Sequence, residues 1–311
     1  MSVRDLIMAA GGGGGDLLSV STSQSLPAGS WRSLAFGDGV FAATAYDNGK
    51  TGFSRDDGNS WGNASLLLNG AVSTGWNGIA FGDGVFVTIN GFSLGSNQVG
   101  YSIDRGETWT IASTLPVVSY WHSIAFGNGV FVAIGIGANF CSYSLDLGKT
   151  WSALTALPGN GNWSSIVFGD GVFVAVNEGT NQAAYSTDNG KTWSASILPD
   201  VASWRSVTFG DGVFVAVSGY GQDKAAYSID GGKTWHSSIM PTPMLVWDVA
   251  FGNGLFVAVG ETDNFIYSND LGRTWIKNKL DMDYKLMSIA FGNDVFVATP
   301  GNGSTSLVIQ G

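Results

Sequence analysis

The chain has 311 residues, 12% of them charged and 13% aromatic, and its formal net charge is −10 at pH 7. This negative charge excludes nucleic acid as an expected partner, because phosphate groups would be repelled. The single cysteine, Cys141, excludes an internal disulfide framework, and no apolar run reaches the roughly 18 residues that a membrane-spanning helix needs.

Residues 1–16 are predicted to form a leader that is separate from the folded domain at 17–311. The apolar stretch from Leu6 to Ala10 is too short for a secretory signal, so we expect synthesis in the cytoplasm. The five glycines at 11–15 are typical of a flexible joint. Residues 1–10 are then either disordered or a peptide that docks on another protein.

One phrase recurs seven times in the rest of the chain, at intervals of about 40 residues. It reads FGDGVF at 36–41, 81–86, 168–173 and 209–214, FGNGVF at 126–131, FGNGLF at 251–256 and FGNDVF at 291–296. An Asp-Gly or Asn-Gly pair between two apolar runs predicts a two-residue hairpin turn. In the unit from Trp204 to Met240, for example, strands are predicted at 204–210, 213–218, 225–229 and 234–239.

Four short antiparallel strands in each unit are typical of a propeller blade. Blades are predicted to start at Trp31, Trp76, Trp121, Trp163, Trp204, Trp247 and Leu286. The last blade lacks a fourth strand, which the segment Leu17–Ser25 is predicted to supply. The fold prediction is therefore all-β: a seven-bladed β-propeller of four-stranded antiparallel blades, closed by an N-terminal strand.

A second phrase, Ser-x-Asp-x-Gly-x-(Thr/Ser)-Trp, begins at Ser54, Ser102, Ser144, Ser186, Ser228 and Ser268. It resembles the Asp-box, or BNR repeat, in which the Asp side chain accepts backbone N–H groups and the Gly allows a positive φ. In the families that carry this repeat, the Asp-boxes are hairpin corners that lie away from the active site. The resemblance therefore implies that the Asp-boxes of this chain are structural. The near-uniform repeats at 31–311 also resemble bacteriophage tail and virion-surface propellers.

The hairpin turns and the Asp-boxes are predicted to share one face of the disc, and the variable loops the opposite face. All 12 Trp and most Phe are assigned to the repeats, so binding residues are sought among the side chains that do not repeat. The candidates beside the variable loops are Tyr46, Phe92, Tyr120, Tyr220, Glu261 and Tyr284. Those directly after a blade start are Arg32, His122, Arg205 and Asp248. Unconstrained loop variation is the alternative explanation for each one.

Sialidases contain Asp-boxes, but they bind an anionic sugar through three arginines and use a Tyr–Glu pair as the nucleophile. Only Arg32 and Arg205 lie on the appropriate face. We therefore predict no catalytic residues, no metal site and no cofactor. A glycan hydrolase that uses Asp248 with Glu261 or Asp263 remains an alternative. A photosystem II assembly factor has a similar repeat pattern, but that family carries targeting segments and a basic patch that this sequence lacks.

The expected function is that of a non-catalytic structural propeller of a phage tail or virion. Its variable face would bind a host-surface glycan or neighbouring subunits, and the leader would contact other virion proteins. The expected location is the virion, and no membrane insertion is expected. A homo-oligomer in the virion is one expected arrangement. An intracellular assembly scaffold is a further alternative.

Overall fold

The structure is a computed structural model, and it describes residues 6–7, 18–23, 25–68, 71–91, 96–137 and 139–310. In these residues the regular elements are β-strands, and no helix is present that could span a membrane. The first thirteen strands are β1 Leu6–Ile7, β2 Ser19–Ser23, β3 Trp31–Gly37, β4 Val40–Ala45, β5 Lys50–Ser54, β6 Gly62–Ser65, β7 Leu67–Leu68, β8 Ala71–Val72, β9 Trp76–Gly82, β10 Val85–Asn90, β11 Ser96–Ser102, β12 Thr110–Gly127 and β13 Val130–Ile136. The others are β14 Phe140–Ser144, β15 Thr155–Ala156, β16 Asn162–Gly169, β17 Val172–Ser186, β18 Ser194–Gly210, β19 Val213–Ser218, β20 Gln222–Ser228, β21 His236–Met244, β22 Val246–Gly252, β23 Leu255–Ser268, β24 Ile276–Gly292, β25 Val295–Pro300 and β26 Ser306–Gln310.

Consecutive strands pair antiparallel, and the first repeat forms the four-stranded sheet β3-β4-β5-β6. The longest strands serve two repeats. In β18, residues 194–203 pair with β17, whereas 204–210 pair with β19. The outer strand of one sheet therefore runs directly into the inner strand of the next. The prediction of all-β, four-stranded antiparallel units is confirmed.

The FG(D/N)G turns have the backbone conformation that their sequence predicts. Asp211 and Gly212 both have positive φ angles, 47° and 77°, and they join β18 to β19 with Gly210 opposite Val213. Asn and Asp tolerate the left-handed region because their short polar side chains can hydrogen-bond locally. Each turn therefore sets the register that brings the two phenylalanines of the phrase opposite each other, as in Phe209 and Phe214.

The N-terminal strand β2 joins the sheet of the final repeat, where the sequence predicts that a fourth strand is missing. Strand β2 pairs antiparallel with β26, from Ser19 opposite Gln310 to Ser23 opposite Ser306. Strand β26 in turn pairs with β25. Leu6 and Ile7, from the predicted leader, form β1 and pair with β2. The rest of the predicted leader, including its five glycines, lies outside the described residues.

Neighbouring repeats contact each other through one glycine and one phenylalanine. The glycine that ends each inner strand lies against the first phenylalanine ring of the following repeat, so closely that a Cβ atom there would overlap the ring. The pairs are Gly37–Phe81, Gly82–Phe126, Gly127–Phe168, Gly169–Phe209, Gly210–Phe251, Gly252–Phe291 and Gly292–Phe36. The last of these joins the seventh repeat to the first.

The Asp-boxes are hydrogen-bonded corners. In the box at 186–193, the Ser186 hydroxyl donates to Asp188 Oδ1 at 2.9 Å, and Asp188 accepts the Thr192 N–H at 2.8 Å and the Thr192 hydroxyl at 2.6 Å. Burial opposes ionisation, but these bonds outweigh it and hold the pKa of the Asp188 carboxyl below its usual value. The box aspartates are thereby accounted for as structural groups.

Candidate ligand-binding site

A cavity of about 230 Å³ lies among the first strands of the seven repeats. Its outermost layer consists of one residue from each repeat, at the position where the sequence changes most. These residues are Arg32, Asn77, His122, Ser164, Arg205, Trp247 and Met287. The cavity therefore collects the most variable position of every inner strand into a single wall.

The second layer of the wall joins neighbouring repeats by hydrogen bonds. It consists of Ser33, Gly78, Ser123, Ser165, Ser206, Asp248 and Ser288. Ser165 Oγ accepts the Val207 N–H at 3.1 Å, and Ser288 Oγ accepts the Leu34 N–H at 3.1 Å, which connects the seventh repeat to the first. Six aliphatic side chains at the next position along the strands complete the lining: Leu34, Ile79, Ile124, Ile166, Val207 and Ile289.

Trp247 is a lining residue, so its assignment to the buried scaffold is wrong. Val246 pairs with Gly260, which is the place that Trp31 takes opposite Ala45 in the first repeat. Trp247 therefore occupies the variable layer, where it is only half-buried. The sequence indicates this shift, because three residues lie between Trp247 and Phe251, whereas four lie between each of the other blade-start tryptophans and its phenylalanine.

Asp248 consequently occupies the serine layer rather than the variable layer that was predicted for it. Its Oδ1 accepts from the Ser206 hydroxyl at 2.7 Å and the Val249 N–H at 2.9 Å. Its Oδ2 accepts from the Ser288 hydroxyl at 2.9 Å and the Ile289 N–H at 3.0 Å. Burial outweighs these bonds and raises the pKa of the carboxyl. Asp248 thus ties three inner strands together.

Arg205 is the centre of a compact cluster at the cavity mouth. Its guanidinium carbon lies 4.5 Å from the ring centre of Trp247 and 5.4 Å from that of Tyr220, and these two rings meet edge to face at 5.6 Å. Its Nη1 donates to Glu178 Oε2 at 2.9 Å, and the arginine side chain is 11% exposed. Arg205 is therefore held rigidly on three sides.

Arg32 forms a second pair of the same type. Its guanidinium carbon lies 5.3 Å from the ring centre of Tyr46, the residue that directly follows β4. Tyr220 lies in the loop after β19, one position later in its repeat than Tyr46, because Ser218 corresponds to Ala45. Two repeats thus place an arginine in the cavity wall and, beside it, a tyrosine from the loop after the second strand of the repeat.

His122 is a neutral ring in this wall. Its Nδ1 lies 2.7 Å from the Ser164 carbonyl oxygen, which can only accept, so Nδ1 carries the proton and Nε2 is an acceptor. Burial, followed by the positive charges of Arg205 and Arg32, lowers the pKa of His122 to about 4. At neutral pH the ring can therefore accept a hydrogen bond but carries no charge.

The remaining predicted residues do not join the lining. Glu261 accepts from Lys285 Nζ at 2.8 Å and does not line the cavity, so the structure does not bring the predicted pair of Asp248 and Glu261 together there. Tyr120 is 43% exposed on β12, opposite Ile136. Phe92 lies outside the described residues, as do the side chains of Asp263 and Tyr284. Among the described residues, no three His, Cys, Asp or Glu side chains cluster as metal ligands.

Comparison with known proteins supports the fold. The BNR/Asp-box repeat family matches residues 184–195 and 226–237, whereas no curated protein sequence matches the chain. One similar solved structure is YCF48 bound to a D1 peptide, at 18% identity and a TM-score of 0.73, over 94% of this chain and 95% of that one. A streptogramin B lyase is 18% identical, with a TM-score of 0.78 over 94% and 98% of the two chains.

Virginiamycin B lyase from Staphylococcus aureus is 15% identical, with a TM-score of 0.79 over 94% of this chain and 99% of that one. The chain is a β-propeller with Asp-box repeats. At these identities the similarity extends to the fold alone and does not identify a ligand.

Proposed function

We propose that this propeller is a non-catalytic binding protein of a bacteriophage virion, with its ligand site at the central cavity of the variable face. We further propose that it has seven blades and that β2 closes the ring. The Gly292–Phe36 contact, the Ser288–Leu34 hydrogen bond and the pairing of β2 with β26 support closure, because each links the end of the chain to its beginning.

One observation carries the binding proposal: a single repeat position holds six different residue types in the seven units, and all seven of its side chains line one cavity. The neighbouring positions in the same strands keep serine or an aliphatic residue in most units. Repeat packing therefore constrains the second and third layers, whereas the first layer is free to match a ligand. Recognition sites typically combine such a constant frame with a few variable polar and aromatic groups.

The electrostatics of the cavity favour binding over catalysis. A general base works best when its pKa lies near the working pH, and His122, with a pKa of about 4, is far below neutrality. Both oxygens of Asp248 already accept two hydrogen bonds each. Arg205 is paired with Glu178. These groups are arranged to hold a ligand, and none is poised to transfer a proton.

The proposed partner is a host-surface glycan or a neighbouring protein subunit. A propeller of this fold has been solved with a bound peptide, which supports a protein partner, and the sequence prediction adds a host-surface glycan. The virion location rests on the resemblance of the repeats to phage propellers. Mass spectrometry of purified particles tests it, since a virion protein must be found in them and a cellular scaffold must not.

The binding proposal is tested on a surface that carries neutral glycans, acidic glycans and peptides. The double variant Arg32→Ala/Trp247→Ala should weaken binding at least tenfold, because it removes a charge and an aromatic surface from the cavity mouth. A matched control is Ile103→Ala/Ile229→Ala, which changes two exposed side chains of the Asp-boxes. Arg32→Glu repeats the test if the double variant does not fold. Unchanged binding in the cavity variants would refute the proposed site.

A further inference from the structure

Tyr220 has an unusual backbone conformation for its residue type. Its φ angle is +55°, in the left-handed region. Among the described residues, the other non-glycine residues with positive φ all belong to the two repeated phrases, either in the FG(D/N)G turns or directly before the glycine of an Asp-box. Tyr220 is the exception, and it lies in a variable loop that no repeat constrains.

A smaller residue than tyrosine would adopt the backbone conformation of this turn more easily. Tyr220 and Gly221 both have positive φ, the combination for which Asn and Gly are preferred at the first position. A tyrosine there is strained, and such strain is concentrated where a side chain has a function. The ring is 54% exposed, so burial in the core does not explain its presence.

The ring of Tyr220 is oriented by the cluster below it. Tyr220 packs against Trp247 and Arg205, and Glu178 fixes Arg205 from another side. Gly219 leaves the space for this arrangement, since a Cβ atom there would lie 2.6 Å from Cγ of Arg205. Tyr220 is not a lining residue, but it touches two residues that are. It therefore stands at the rim of the cavity as a fixed aromatic surface.

Two buried N–H groups in this cluster have no acceptor among the described residues: Nε of Arg205 and Nε1 of Trp247. Buried donors are almost always paired with an acceptor in native proteins. An oxygen of a hydroxyl-bearing ligand would be an acceptor that the described residues do not supply to these two donors.

We propose that Tyr220 is the stacking platform for a neutral pyranose ring at the end of a glycan chain, whose hydroxyl groups hydrogen-bond to the cavity wall. This inference rests on the proposed binding function and names its ligand class. The apolar face of a sugar ring would lie on the tyrosine, where aromatic contact adds to burial of apolar surface. The acceptor Nε2 of His122 and the amide of Asn77 are further partners for hydroxyl groups.

The charges of the site favour a neutral ligand. Among the described residues of this site, Glu178 pairs with Arg205 and balances its charge, so Arg32 is the remaining positive group beside the uncharged ring of His122. The whole chain carries −10, which would repel a polyanion at long range. The cavity, at about 230 Å³, is smaller than the roughly 300–1,000 Å³ typical of drug-sized ligands, so it suits one terminal unit.

The cavity wall is less suited to binding a peptide than to binding a sugar. An extended peptide is usually recognised when it adds a strand to an exposed sheet edge. On the inner strands here, the N–H groups of Leu34, Ile79 and Val207 already donate to serine hydroxyls of the neighbouring repeats at 3.1 Å. Main-chain pairing is therefore blocked along much of the cavity, and recognition depends on side chains.

The test uses the full chain and a surface of neutral hexose-terminated oligosaccharides, with acidic oligosaccharides and peptides on the same surface. Wild type should bind the neutral glycans. Tyr220→Phe should keep the affinity within about twofold, since the ring remains, whereas Tyr220→Gly should weaken it about five- to tenfold. Tyr120→Ala is the control, because Tyr120 is an exposed tyrosine in a different repeat from Arg205 and Tyr220.

The outcomes separate the two proposals. Preference for acidic glycans or peptides, or full affinity in Tyr220→Gly, overturns the platform while the cavity site still stands if Arg32→Ala/Trp247→Ala loses binding. Loss of neutral-glycan binding in Tyr220→Gly, with a melting temperature at or above that of wild type, supports the platform. Binding that survives in both Tyr220→Gly and the cavity double variant refutes the platform and the cavity site together.

Discussion

Replacing Asp248 tests how the serine layer holds the inner strands together. The repeats offer two matched substitutions: Asp248→Ser restores the residue found at this position in five of the other six repeats, and Asp248→Ala removes every acceptor. In the alanine variant, the Ile289 N–H loses its 3.0 Å acceptor and the Ser206 hydroxyl loses its 2.7 Å acceptor. A buried donor without a partner costs about 1–3 kcal/mol, so we expect a loss of about 2–4 kcal/mol.

The serine variant should lose about 1 kcal/mol or less, because Ser165 already accepts the N–H of Val207 in the same way at 3.1 Å. Chemical denaturation at pH 7 measures both free energies of unfolding. Burial raises the pKa of Asp248 in the folded state, so its contribution is largest below the unfolded pKa and falls as the pH rises through the folded value. Asp248→Ser should remove that pH dependence. Equal losses in the serine and alanine variants would refute the tie between strands.

Three further outcomes are expected from the same geometry. Gly292→Ala should destabilise the fold by about 1–3 kcal/mol or more, because its Cβ would overlap Phe36; an unchanged melting temperature would contradict the proposed ring contact. The pKa of His122 is lowered to about 4, so stability should fall as the pH drops from about 6.5 to 4, and His122→Asn should flatten that part of a stability–pH curve. Tyr220→Gly should raise the free energy of unfolding by about 1 kcal/mol through relief of the left-handed strain, measured by urea denaturation; a loss would contradict that reading.

The fold was predictable because its determinants are local and repeated. The Asp-Gly pair at 211–212 predicts a hairpin with two positive φ angles, and the structure has them. The segment 17–25 was predicted to be a strand because the last repeat lacks a fourth strand of its own. In the structure, β2 lies in this segment and pairs with β26. Such features need no knowledge of distant neighbours.

The site was only partly predictable because it depends on contacts between repeats. The position after each blade start was singled out from the sequence, and Arg32, His122 and Arg205 at that position line the cavity. Trp247 was missed because a tryptophan matches the scaffold by residue type, and only the shortened spacing to Phe251 reveals its shift. Arg205 and Glu178 belong to two neighbouring repeats, so no local pattern in the sequence could indicate that they form an ion pair.

The most direct test of the central claim is a titration of the isotopically labelled protein with a neutral hexose-terminated oligosaccharide, followed through the indole N–H signals of its 12 tryptophans. Trp247 lines the cavity, whereas the tryptophans of the Asp-boxes are not among its lining residues. The account predicts that the Trp247 signal shifts with ligand concentration while the Asp-box signals stay in place. A fixed Trp247 signal, with shifts confined to the Asp-box tryptophans, would contradict it.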